Sequence, residues 1–335
     1  MNKNILVTGA TGFLGQHLVK RLAEEGYRVT AIGRNKTIGN ALPRGVRFVQ
    51  ASLEDREAIF QAMQNQELVV HCGALSSVWG KYDAFYNANV LGTQNMVDSA
   101  LFYKIKRFVH VSTPSIYFSL QERSKLDVKE DSALPDPAVN YYAKTKRMAE
   151  EVVDEAFIKG LQTITIRPRA LFGPGDNAII PRLIKTNQKS GLPFIDEARI
   201  LTDITYIENV VDAICLCLHS DERTVGKKYN ITNGEPMYLN DILEKVFTLL
   251  GQPMKKKNIQ YGSILRVASI LEKTYRLLHI KKEPIITPYT VTVLAHSQTL
   301  NIDAARTELG YNPRISVEEG IHKFAEWWKV QNVTI

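Results

Sequence analysis

Tyr142 and Lys146 stand four residues apart in Asn140-Tyr-Tyr-Ala-Lys-Thr-Lys146, so on a helix a phenol and an ammonium share one face. A tyrosine hydroxyl with a pKa of about 10 is a poor proton shuttle at neutral pH, and a neighbouring cation favours its phenolate. Lowering that pKa by about two units takes roughly 3 kcal/mol of differential interaction. The pair therefore reads as a proton-transfer unit. The competing reading is a packed tyrosine beside a lysine whose head stays in water, and the spacing alone leaves both open.

The element that must hold the pair is a helix. Asp136 is a good N-cap and Pro137 fits the first helical position, with Ala138, Tyr142, Ala149, Val152, Val153 and Phe157 as its apolar spacing. A second chemical constellation lies at the N-terminus. Ile5-Leu-Val-Thr8 reads as a buried parallel strand running into Gly9-Ala-Thr-Gly12-Phe-Leu-Gly15. Leu14, Leu18, Val19 and Leu22 then recur at helical spacing until Gly26 offers a C-cap. Glycines at a strand-to-helix junction allow a tight turn and close approach of a pyrophosphate to free backbone N–H groups. The spacing differs from Gly-x-Gly-x-x-Gly and lacks the Gly-Lys-Ser/Thr end of a P-loop.

The chain has 335 residues, 44% hydrophobic and 23% charged, enough for one large core or two joined ones. Strands are expected near residues 4 to 8, 28 to 32, 46 to 50, 67 to 72, 106 to 112 and 162 to 167, with helices between. That alternation predicts an α/β fold, a Rossmann-type doubly wound parallel sheet, followed by a smaller α/β substrate-binding lobe. The opening Met1-Asn-Lys-Asn gives way to only a short apolar strand, and no apolar run reaches the eighteen or so residues that span a bilayer. A cytoplasmic protein is expected. Cys72, Cys215 and Cys217 show no metal-ligand pattern and read as small core residues; no metal is expected. The net charge of +7 is spread out rather than interleaved with aromatics, which argues against nucleic acid and suits an anionic cofactor.

With these features in order, the chain resembles the extended short-chain dehydrogenase/reductase superfamily. Further landmarks are Val70-His-Cys-Gly-Ala74, Asn89-Val-Leu-Gly-Thr93, Val109-His-Val-Ser-Thr-Pro-Ser-Ile-Tyr117 and Arg167-Pro-Arg-Ala-Leu-Phe-Gly-Pro-Gly-Asp176. The resemblance implies that Tyr142 exchanges a proton with a carbonyl or alcohol oxygen, and that Lys146 tunes it and holds the nicotinamide ribose. The hydroxyl partner falls on Thr113, with Ser112 the rival. Asn89 would shape the neighbouring helix, and His71 and His110 would be core or supporting residues. The dinucleotide would lie against Gly9, Thr11, Gly12, Phe13, Leu14, Gly15, Arg34, Ser52, Leu53, Cys72, Gly73, Ala74, Lys146 and Pro168. Ser52 departs from the aspartate common in relatives. The stretch from Asp203 to Ala213 resembles the segment that returns to the first lobe. A dinucleotide-binding domain of residues 1–170 plus about 204–232 is thus expected, and a substrate lobe of about 171–203 plus 233–335.

Ala31-Ile-Gly-Arg-Asn35 offers no carboxylate for a ribose 2'-hydroxyl, while Arg34 could fork onto a 2'-phosphate. NADP is favoured, with NAD possible if Arg34 stays in solvent. Thr202-Asp203, where nucleotide-sugar enzymes usually carry Arg-Asp, points to the 3-beta-hydroxysteroid-dehydrogenase-like branch, which includes bacterial 2-alkyl-3-oxoalkanoate reductases. The expected reaction interconverts a ketone and a secondary alcohol on a bulky hydrophobic skeleton. A nucleotide-sugar epimerase or dehydratase, with Arg182 on the phosphate, and a non-catalytic NADP sensor are the alternatives. A helix over 261–280, with Ile264, Leu265, Ala268, Leu271, Tyr275 and Leu278 on one side, could roof an apolar pocket. Its flanking lysines leave a weak contact with anionic lipid open beside simple packing on its own lobe. Relatives often pair through the Asn89 and Tyr142 helices, so a homodimer is expected.

Overall fold

The computed structural model describes residues 3–121 and 124–332. Seven strands form a wholly parallel sheet: β1 (Asn4–Thr8), β2 (Arg28–Gly33), β3 (Arg47–Gln50), β4 (Leu68–His71), β5 (Arg107–Val111), β6 (Thr163–Pro168) and β7 (Lys228–Ile231). Their order is β7-β6-β5-β4-β1-β2-β3. A sheet covered on both faces needs apolar side chains on both, which is why Ile5, Leu6 and Val7 are all fully buried. The period of two divides them. Ile5, Val7, Val70 and Val109 join one core cluster, while Leu6, Val69 and Phe108 join another on the opposite face. Each fully buried aliphatic contributes about 1.5 to 3 kcal/mol.

Helix α1 (Phe13–Glu24) packs Leu18, Val19 and Leu22 into the first cluster. Helices α2 (Gly92–Phe102) and α3 (Tyr141–Ile158) cover the other face, α2 entered through a π-helical segment, Tyr86–Leu91, that carries Asn89. Helix α3 starts later than the sequence suggests. Asp136 and Pro137 lie in a bend, and the N-cap is Asn140, whose extended backbone turns its amide oxygen onto the Ala143 N–H at 2.8 Å. Two cap-forming residues compete in that stretch, and the one adjoining the helical run prevails. The inward face of α3 is also less apolar than the spacing implied, because it buries Thr145, Lys146 and Glu150. Phe157 is instead 42% exposed.

Beyond β6 the chain builds α4 (Ile180–Lys189), α5 (Ile207–His219), α6 (Leu239–Leu250), α7 (Tyr261–Leu277), α8 (Pro288–Ala295) and α9 (Val317–Asn332). A four-stranded sheet runs Met237–Tyr238, Leu201–Thr202, Gln298–Leu300, Lys125–Val128. A separate core joins Phe172, Ile184, Phe194, Leu243, Phe247 and Phe324. Helix α7 seats Ala268 against Ile195 and Val291, with Ile264 and Leu265 beside them. Leu278, expected inward, is 63% exposed because it stands past the helix end. Among the described residues no helix is long and apolar enough to cross a membrane.

Candidate active site

The strand order reverses between β1 and β4, so a crevice opens there at the carboxyl ends of the strands. The glycine turn occupies it. Gly9 has φ +66°, and a Cβ there would lie 2.8 Å from the Gly73 backbone nitrogen. The turn after β1 and the chain after β4 therefore cross backbone to backbone, bringing Gly9 and Gly73 together. A Cβ on Gly15 would collide with the Gly9 carbonyl. The Gly12 N–H donates to Gly9 O at 2.8 Å, and α1 begins with no side-chain cap and no acidic residue in its first turn. The backbone N–H groups at Phe13, Leu14 and Gly15 are thus left to an anion. These residues fit a dinucleotide's pyrophosphate.

Around this cradle, Thr11 packs under Gly33, where a Cβ would come within 2.7 Å of its hydroxyl. Leu53 lies against Gly73 and Gly92, and its carbonyl accepts from Asn95 Nδ2 at 2.9 Å. The Ser52 hydroxyl accepts from the Glu54 N–H at 3.4 Å in the same turn. Arg34 is exposed just past β2. Burial pushes the Cys72 thiol up to about 12, so it stays protonated, and it forms no disulfide. Ala74 is half-buried, and Pro168 ends β6 opposite Ile231.

Tyr142 and Thr113 are brought together. The Thr113 hydroxyl lies near enough to the Tyr142 phenol to pull its pKa down, and it caps the short turn after β5 by accepting from Ser115 N–H at 3.1 Å. Thr113 also donates to Ser115 Oγ at 3.0 Å, and Ser115 Oγ lies 3.1 Å from the Tyr289 hydroxyl on α8. The result is a hydrogen-bonded run of three hydroxyls, Thr113, Ser115 and Tyr289, that passes beside Tyr142 and ends on α8. Ser112, the rival of Thr113, lies beside Glu150 instead.

The Lys146 ammonium makes its hydrogen bonds on the strand side rather than to the Tyr142 phenol. The residue is 2% exposed, and its ammonium donates to Val111 O at 2.8 Å and approaches His110 Nε2 at 3.2 Å. Burial pushes the Tyr142 phenol up to about 12, only partly offset by Thr113. It also pulls Lys146 down to about 8, against the pull of Glu150. His110 is held well below its ordinary value by burial and by Lys146, so it is neutral and offers Nε2 as an acceptor. A lysine partner for His110 was not foreseen, because nothing in a strand sequence reports which helix residue crosses it. His71, by contrast, is a core residue held between the Thr8 and Thr93 hydroxyls at 2.7 and 3.1 Å. Asn89 clamps both backbone groups of Leu75 and donates to the Thr145 hydroxyl at 3.0 Å, tying the post-β4 chain to α3.

Helix α7 walls the site from the other lobe. Its Arg276 pairs with Glu272 at 2.8 Å and stacks over Tyr141 and Trp79, and the Trp79 indole donates to Ile280 O at 3.2 Å. A small cleft of about 70 Å³ has Asn140, Tyr141, Glu272, Arg276, Thr287 and Tyr289 on its polar side and Val78, Phe85, Leu120 and Val139 on its apolar side. Arg182 is exposed and paired with Glu283 at 3.2 Å. Among the described residues no three His, Cys, Asp or Glu side chains gather to hold a metal ion.

The sequence profile of the NAD dependent epimerase/dehydratase family matches residues 5–232. The chain is 32% identical over 328 residues to a 2-alkyl-3-oxoalkanoate reductase of Stenotrophomonas maltophilia, covering 95% of this chain and 97% of that one. It is 28% identical to a decarboxylating sterol-4-alpha-carboxylate 3-dehydrogenase of Mus musculus, over 96% of this chain and 90% of the other. Its fold matches that of a UDP-glucuronic acid 4-epimerase of Bacillus cereus solved with NAD, with a TM-score of 0.78, 21% identity, and 98% and 99% of the two chains covered. The chain belongs to the NAD dependent epimerase/dehydratase family, in the 3-beta-hydroxysteroid-dehydrogenase-like branch of the extended short-chain dehydrogenase/reductases, and is an NAD(P)-dependent oxidoreductase.

Proposed function

We propose that this enzyme is an NADP-dependent ketone reductase or alcohol dehydrogenase acting on a bulky hydrophobic substrate. The observation that carries the reading is the Tyr142 phenol set against the Thr113 hydroxyl beside a glycine-lined anion cradle. When bound, the dinucleotide supplies or accepts the hydride. Residues 1–170 and about 204–232 hold it, and the remaining chain closes over the substrate. Gly9, Thr11, Gly12, Phe13, Leu14 and Gly15 receive the pyrophosphate. Ser52 and Leu53 would flank the adenine, Cys72, Gly73 and Ala74 would line the dinucleotide from the crossing chain, and Pro168 would lie toward the nicotinamide. Lys146 would hold the nicotinamide ribose through its ammonium. A phenol pushed up to about 12 is fully protonated at neutral pH, which suits donation to a forming alkoxide. Thr113 lies beside the Tyr142 oxygen, where its hydroxyl, on leaving Ser115 Oγ, donates to the phenolate formed as Tyr142 gives up its proton.

The absence of a carboxylate from residue 31 to 35, with Arg34 exposed at the strand end, supports NADP. The apolar side of the cleft, Val78, Phe85, Leu120 and Val139, facing a polar side with Glu272 and Arg276, supports a substrate with a hydrophobic part. The protein acts in the cytoplasm as a homodimer, a reading supported by exposed Phe102 on α2 and by Phe157 and Ile158 on α3. The outer side of α7 and the chain after it, with exposed Val267, Ile270 and Leu277 among Lys273, Lys281 and Lys282, suits a weak contact with anionic lipid. The test is to mix the protein with NADPH and a panel of 3-ketosteroids and bulky 3-oxo acids. Oxidation of NADPH with formation of the alcohol is expected. Turnover of a UDP- or dTDP-sugar without net change in cofactor would overturn the reading.

A further inference from the structure

Two proline-containing turns set hydroxyls toward each other. In Thr113-Pro-Ser115 the threonine caps a single turn by accepting from the Ser115 N–H at 3.1 Å, and the proline at the turn's first position fixes its backbone. In Thr287-Pro-Tyr-Thr290 a reciprocal cap fixes the start of α8. Thr287 Oγ1 accepts from the Thr290 N–H at 3.2 Å, and Thr290 Oγ1 accepts from the Thr287 N–H at 2.9 Å. Val291 and Thr292 bury the next positions of that helix, and the Tyr289 ring meets Phe118 edge-on at 6.0 Å. Both ends are therefore held. Between them Thr113 donates to Ser115 Oγ at 3.0 Å, and Ser115 Oγ lies 3.1 Å from the Tyr289 hydroxyl.

The run has an inner and an outer end. Thr113 and Ser115 are 7% and 9% exposed, whereas Tyr289 is half-buried and lines the cleft with Asn140 and Tyr141. At the inner end Thr113 acts on the Tyr142 phenol. The strand side of the site offers no comparable route. Lys146 donates to Val111 O and approaches His110 Nε2, and His110 Nδ1 has no partner among the described residues, so hydrogen bonds stop at that ring. A reductase needs such a route, because each turnover takes a proton from Tyr142 and the phenolate left behind has to regain one before the next. A hydroxyl both donates and accepts, and its hydrogen rotates to suit. A chain of them can therefore pass a proton without any member keeping a charge.

Resting on the reductase reading and the role of Tyr142 given above, we propose that Ser115 and Tyr289 form a proton-return path that reloads Tyr142 from water in the cleft. Thr113 turns from Ser115 Oγ to the phenolate and gives it a proton. Ser115 gives its own proton to Thr113 Oγ, Tyr289 gives its own to Ser115 Oγ, and solvent in the cleft replaces the proton on Tyr289. As many O–H bonds form as break, so the net change is one proton moved from solvent to Tyr142. Tyr289 thus brings a group from α8 into the reaction without touching the hydride.

The experiment follows NADPH oxidation with a bulky 3-oxo acid, both in the first turnover by stopped flow and in the steady state, for wild type, Tyr289→Phe and Ser115→Ala. Tyr142 enters the first turnover protonated. Each variant should therefore lower steady-state kcat far more than the first-turnover rate, by about 10²-fold, the low end of what a proton-transfer group contributes. Added imidazole buffer should restore steady-state kcat in the variants as the imidazolium concentration rises, and should leave wild type unchanged. Equal losses in the two rates, or losses that imidazole does not relieve, would make these residues packing groups and overturn the path. A steady-state kcat unchanged in both variants would overturn it too, and each of these results leaves the reductase reading intact. Ser115→Ala keeps the N–H that Thr113 caps, so it carries the test if Tyr289→Phe fails to fold. Failure of wild type to reduce any ketone of the panel removes the reductase reading and the path with it.

Discussion

Lys146 carries the most informative chemistry at the scale of single residues. It is buried against a carbonyl and a neutral imidazole, and its value near 8 comes from lost hydration that Glu150 only partly restores. The sign follows directly. The folded value lies below the ordinary 10.5, so this group favours the fold fully above pH 10.5, and that contribution is lost as pH falls through 8. An anionic dinucleotide raises the value again. Calorimetry at pH 8.5 in buffers of different ionisation enthalpy should therefore show proton uptake on NADPH binding, and Lys146→Met should remove it. Uptake that persists in the variant would assign the proton elsewhere. At Arg34 the expectation concerns selectivity: Arg34→Ala should weaken NADPH by about 10- to 100-fold, the worth of a charge-assisted contact, and NADH far less. Equal losses in the two dissociation constants would contradict a phosphate contact.

Among the elements, α3 matters most because Tyr142 sits in its first turn. Removing the cap in Asn140→Ala should cost about 0.5 to 2 kcal/mol, read as a lower melting temperature, and should reduce kcat by loosening the turn that aims Tyr142. Asp136→Ala should leave both unchanged, and equal losses would return the cap to Asp136. The cap shows where sequence reasoning reaches its limit. The strands were legible, because a sheet covered on both faces demands unbroken apolar runs such as Ile5-Leu-Val. The glycine turn was legible because its spacing is dictated by backbone approach. The start of α3 was not, since two residues there carry equivalent capping chemistry. Nor was the partnership of Lys146 with His110, or of Ser115 with Tyr289, because each depends on how distant elements cross.

At the scale of the whole molecule, two layers of core clamp the parallel sheet, while α7 and α8 pack together on Ile195 in a separate cluster. Trp79, Arg276 and Tyr141 stack where the lobes meet, and Tyr289 carries the hydroxyl line from one to the other. On the reductase reading proposed above, the sheet would position the cofactor groups and the later helices would contact the substrate. That division explains why cofactor class follows from local sequence while substrate class does not. The central claim is hydride transfer to a bulky ketone with Tyr142 supplying the proton. Its most direct test is stopped-flow oxidation of NADPH in a single turnover with a bulky 3-oxo acid, comparing wild type with Tyr142→Phe. The account predicts fast oxidation in wild type and, with NADPH affinity retained, a rate about 10²- to 10⁴-fold lower in Tyr142→Phe. Equal rates in the two proteins would contradict it.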